Sequence, residues 1–131
     1  MFSNDSTPPE PPSPSVSDQL PSVRNVEIVR VIYKRPLIRF HGGKEVQHRQ
    51  AVELIVETEN ELPACAVTPA LFVGEHLLTD FEMTEDGRYR FFAFDEEELK
   101  EGAPIRLGWP DDRSKPQESG FTFKVNRESS R

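Results

Sequence analysis

From Asn25 onward the apolar positions recur with the period of two that marks β-strands, and no long run keeps the 3.6-residue period of a helix. Val26 to Tyr33 is rich in β-branched residues and apolar on both faces. Such a run predicts a strand buried on both sides, or one whose phase slips at a bulge. Lys34-Arg35-Pro36 interrupts it. A proline cannot donate to a ladder, so the break belongs at a sheet edge or a strand switch. Leu37 to Phe40 resumes the extended run, and His41-Gly42-Gly43-Lys44 reads as a turn. The second long strand is Gln50 to Thr58. Val52, Leu54 and Val56 are expected to face the core, with Glu53 and Glu57 on a wet face.

Shorter elements follow. Ala70 to Val73 predicts a strand ending in the turn Gly74-Glu75. Leu77, Thr79, Phe81 and Met83 then alternate with Leu78, Asp80 and Glu82. Glu85-Asp86-Gly87 is a hairpin signal, because glycine reaches the positive φ such a turn requires. The return strand is Arg88 to Phe94, with Tyr89, Phe91 and Ala93 on one face and Phe92 and Phe94 partly covered on the other. Asp95 to Gly102 is the one helical piece, with Asp95 as N-cap, Glu98 three residues on, and Leu99 as its plug into the core. Ile105, Leu107 and Trp109 form an inward-facing set. Pro110 to Ser119 is a polar loop, and Phe121, Phe123 and Val125 mark the last strand. Leu54, Phe81, Phe91, Leu107, Trp109 and Phe123 are the expected core.

These elements predict an all-β chain: an antiparallel β-sandwich of seven or eight strands with one short helical turn. No strands alternate with long helices, which excludes a parallel α/β fold. The expected organisation is a disordered Pro/Ser-rich tail over residues 1–22, a sandwich over 23–125 and a disordered C-terminal tail over 126–131. Half of the 12 prolines fall in the first tail, whose Pro8-Pro9-Glu10-Pro11-Pro12 run favours polyproline II. Its P-x-x-P spacings suit aromatic-lined grooves, and a plain linker is the simpler reading.

The succession Ala70-Leu71-Phe72-Val73-Gly74, Leu77 to Met83, Gly87 to Phe94, Leu99 to Gly102 and Ile105 to Trp109 resembles the second half of an immunoglobulin-like domain of the early-set kind, which includes the IPT/TIG domains. The resemblance implies an immunoglobulin-like sandwich over about residues 25–125 and no particular function, since that fold serves adhesion, accessory and DNA-binding roles alike. The chain departs from the pattern in two ways. Gln50 to Thr58 contains no glycine, and neither a Cys-Trp-Cys framework nor a tyrosine corner is present.

Charge changes the picture more than composition does. The net charge is -7, but residues 24–50 carry seven bases against two acids, and residues 51–131 carry nine bases against eighteen acids. The two parts are expected to pair within the fold, or each to present a charged face to a partner. The basic strip Arg30, Lys34, Arg35, Arg39, Lys44 and Arg49 is the candidate partner-binding surface. An acidic protein partner is the first expectation. With Tyr33, Phe40, His41 and His48 interleaved, single-stranded nucleic acid is the alternative.

Chemistry is sparse. No serine lies between Ser22 and Ser114, so a nucleophilic serine held by the core is not expected. Cys65 is the single cysteine, which excludes an intrachain disulfide and favours a reducing, cytoplasmic location. His41 and His48 lack further ligands at metal-site spacing and are expected as surface histidines. No segment approaches the length a bilayer requires. The expectation is a non-enzymatic interaction module without cofactor or metal, acting through a sheet edge or its basic face.

Overall fold

The computed structural model describes residues 20–63, 68–111 and 115–131. The expectations for Cys65 and for most of the N-terminal tail therefore lie outside the described residues. The chain is all-β, built from two sheets. Strands β1 (Val23–His41) and β2 (Lys44–Thr58) form one long antiparallel hairpin. Gly42 and Gly43 close it with φ of 62° and 81°, a pair of left-handed residues whose twist matches the flanking strands. Next come β3 (Ala70–Val73), β4 (His76–Leu78), β5 (Phe81–Met83), β6 (Tyr89–Ala93), β7 (Pro104–Gly108), β8 (Gln117–Thr122) and β9 (Arg127–Ser130). The five-stranded sheet has the order β5-β6-β2-β1-β9 and the four-stranded sheet β4-β3-β7-β8. All pairings are antiparallel except β1 with β9.

The main core lies between the sheets. Val26, Ile28, Val52, Leu54, Val56 and Phe91 come from the larger sheet, and Leu71, Val73, Ile105 and Leu107 from the smaller. Leu99 and Phe123 are buried in the same cluster, and Trp109 is fully buried. A second apolar layer covers the outer face of the larger sheet: Val29, Val31, Tyr33, Ala51 and Ile55, with Leu37 and Phe94 packed against them.

Several expectations change. Glu53, placed on a wet face by alternation, is fully buried. Its neighbours on that face, Ala51 and Ile55, are buried too, so the second layer roofs it. The run from Leu77 to Met83 is not one strand. It breaks at Thr79-Asp80 and passes from the smaller sheet to the larger. Asp95 makes no side-chain cap, and the helical piece shrinks to a 3₁₀ turn at Glu96–Glu98. Phe81 is half-buried, because β5 is the edge strand of its sheet. Strand β8 begins within the expected polar loop. Most plainly, residues 127–130, expected as a tail, form β9 along β1. Main-chain bonds and the ion pairs Arg127–Glu27 and Arg30–Glu128 hold it there, so it needs no apolar alternation.

Candidate interaction surface

The β1–β2 ladder is regular from Val26↔Val56 to Ile32↔Gln50 and resumes at Leu37↔His48. Between them residues 33–36 oppose Arg49 alone, a large bulge at the Lys34-Arg35-Pro36 interruption. Strand β6 pairs with β2 only from Val52 to Val56, and β9 with β1 only from Val29 to Ile32. Beyond the bulge the hairpin is thus a two-stranded ribbon with both edges unpaired in the sheets.

The two faces of this ribbon differ. One lies on the outer layer of the larger sheet. Leu37 packs into that layer, the Arg39 guanidinium sits 5.1 Å from the Phe92 ring centre, and the His48 ring stacks on Phe94 at 3.8 Å. Arg39 Nε also donates to Asp80 Oδ2 at 2.6 Å. His41 meets Phe94 edge-on at 6.1 Å, and its Nε2 lies 3.1 Å from His48 Nε2. The opposite face carries Ile38 and Phe40, 49% and 71% exposed, across from Gln47 and Glu45. Phe40 is among the interleaved aromatic residues expected from sequence, whereas Ile38 is not, because an apolar residue two positions from another in a strand ordinarily marks a core face.

The six cations of the basic strip divide. Arg30 is bound on both sides, donating to the Glu96 carboxylate and from Nη1 to Glu128 Oε2 at 2.7 Å. Those hydrogen bonds hold the guanidinium firmly protonated and the Glu96 carboxyl below its usual range. Arg39 is engaged by Asp80 and Phe92. Lys34, Arg35, Lys44 and Arg49 are exposed, and no ion pair among the described residues engages them. Lys34 and Arg35 ride on the bulge, Arg49 faces it, and Lys44 follows the turn. The pairing of the basic and acidic parts of the chain is therefore real for Arg30 and Arg39 and, among the described residues, does not extend to the other four.

Two further places carry charge. Buried Glu53 accepts from Tyr33 Oη at 2.7 Å and pairs with Arg90 at 3.1 Å and with Arg131. Burial, then the hydrogen bond to Glu53, pushes the Tyr33 phenol well above its ordinary value. This knot fastens β1, β2, β6 and the residue after β9 together, although Arg90 Nε is buried beside Glu53 as an ion pair without a hydrogen bond of its own. A depression of about 520 Å³ lies between the 3₁₀ turn and β9, with Arg30, Glu96, Phe123 and Glu128 on its walls. Of the cations that line it, Arg30 is neutralised by two carboxylates and Arg127 pairs with Glu27, which leaves exposed Lys124 at the rim. Ser119, which follows the serine-free stretch, uses its hydroxyl on Ile105 O and Phe121 N to shape a bulge in β8.

No protein-family model, no curated protein and no solved structure matches the chain. No helix among the described residues is long and apolar enough to cross a membrane.

Proposed function

We propose that the chain is a non-catalytic interaction module of the immunoglobulin-like kind that recognises an acidic protein segment through the distal half of its β1–β2 hairpin. One observation carries the reading. Phe40 and Ile38 stand exposed on a ribbon that also holds four cations without acidic partners among the described residues. An exposed aromatic and an exposed aliphatic side chain supply the area that anchors an interface. Cations around them steer an acidic segment and fix its register, although the whole chain is acidic. The open β1 edge beyond β9 adds main-chain donors and acceptors for an extended segment. The single cysteine favours a reducing compartment as the setting.

The test is capture with three baits: the wild type, Phe40→Ser with Ile38→Ser, and Lys34, Arg35, Lys44 and Arg49 all changed to Gln. Proteins retained by the wild type and lost from both variants, with retention that weakens as salt is raised, support the reading. Equal retention by all three baits places any interface elsewhere. Tight binding of an oligo-dT strand with a steep salt slope, lost on Phe40→Ser, replaces the acidic protein by single-stranded nucleic acid.

A further inference from the structure

We propose that His41 and His48 form a two-histidine site for a divalent transition metal of the zinc, nickel or copper kind. The residues lie near the hairpin turn, His41 at the end of β1 and His48 on β2. The bulge and the turn bring their Nε2 atoms to 3.1 Å. Two imidazole nitrogens bound to one metal at about 2.0–2.1 Å sit ~2.8 Å apart at a right angle and ~3.3 Å apart at a tetrahedral one. The observed separation falls between these limits. The ring centres are 5.2 Å apart and the ring planes nearly perpendicular, at 79°, so the two rings meet through their Nε2 atoms and do not stack.

The site is partly built before any ion arrives. His48 is fixed by its stack on Phe94, 3.8 Å between centres and 15° from parallel. Phe94 in turn stacks with Phe92, over which Arg39 lies. One ligand is therefore held by aromatic packing, and the other is exposed beside the turn. Among the described residues no group of three or more His, Cys, Asp or Glu is placed to hold an ion, so the site is open and the remaining positions fall to water. Imidazole ligands favour zinc, nickel and copper over magnesium or calcium. A bound ion would tie the distal ribbon to itself across both strands, next to the surface proposed for partner binding. The site stands on geometry independent of that proposal.

The test is calorimetric titration of the full chain with nickel or zinc chloride, in a Cys65→Ser background so that the thiol cannot contribute. His41→Ala and His48→Ala should each lower affinity by about a hundredfold, the intramolecular advantage of a second ligand. The third histidine, His76, pairs with Glu98 at 3.5 Å in another sheet, so His76→Ala should leave the isotherm unchanged. Titrating copper should give a spin-resonance spectrum split by two nitrogens, and by one in either variant. Circular dichroism and the metal-free melting temperature establish that each variant folds. No binding by the wild type, or binding unaltered by His48→Ala in a folded protein, overturns the proposal.

Discussion

The near and far halves of the β1–β2 hairpin share a ladder and differ in almost everything else. In the near half, Val26, Ile28, Val52 and Leu54 face the inter-sheet core while Val29, Val31 and Ile55 face the outer layer. Strands β6 and β9 flank it on both sides. In the far half no strand among the described residues flanks the ribbon, one face rests on Phe92 and Phe94, and the other gives Phe40 to solvent. A lone two-stranded ribbon is marginal in water, so the far half depends on its side-chain moorings to the sheet. The strand neighbours, more than the residue types, decide whether an apolar residue becomes core or contact surface.

The largest expected effect separates the halves directly. Leu54→Ala should cost about 2–5 kcal/mol, since a fully buried side chain leaves a cavity between the sheets. Phe40→Ser, a change of similar size in the far half, should stay within about 0.5 kcal/mol. Denaturant melts of both variants check this. A Phe40 variant as unstable as the Leu54 one would mean that the far half is part of the core. Next in size is Tyr33→Phe, which strips a hydrogen bond from buried Glu53 just where the two halves meet. It should cost about 1.5–3 kcal/mol, the range for a bond to a charged group. An unchanged midpoint would show that Arg90 and Arg131 satisfy the carboxylate alone.

How much was legible in the sequence follows the same division. The inward sets Val52-Leu54-Val56 and Ile105-Leu107-Trp109 were plain, because one face packs and the pleat alternates. Glu53 was misplaced because alternation reports polarity and cannot report a roof. Yet Ala51 and Ile55 share its face and hinted at one. Strand β9 carries no apolar residue at all, so hydrophobic period had nothing to register. The basic strip was visible, but its division was not. Arg30 and Arg39 find acids 66 and 41 residues away, and that depends on the tertiary fold. The interruption at Pro36 is plain in the sequence, while its consequence, a bulge beyond which the ribbon rests on the sheet, depends on tertiary packing.

A smaller effect tests the mooring of the far half. Arg39→Gln removes the pair with Asp80 and the contact over Phe92, both partly exposed. The expected cost is about 1 kcal/mol. Faster exchange of backbone amides should appear in residues 37–48 and not in 26–32. Uniform acceleration across both halves would show that the ribbon opens only with the whole sheet. By contrast, Gln at Lys34, Arg35, Lys44 and Arg49 should leave the melting temperature nearly unchanged, because these side chains reach water and engage no acid among the described residues.

The smallest effect concerns acid and the near half's own arginine. Hydrogen bonding from Arg30 holds the Glu96 carboxyl below its ordinary 4.5 in the folded chain. The unfolded chain therefore takes up that proton first. The contribution of the pair is fully present above about pH 4.5 and is lost as the pH falls through the lower folded value. Arg30→Gln removes the cause of the shift, so the gap in melting temperature between wild type and variant should be constant near neutrality and narrow below about pH 4.5. A gap for Arg30→Gln that stays constant down to strong acid would mean that its two carboxylates are held mainly by other contacts. The 3₁₀ turn and β9 would then be anchored without Arg30, β9 by its backbone bonds and the Arg127–Glu27 pair.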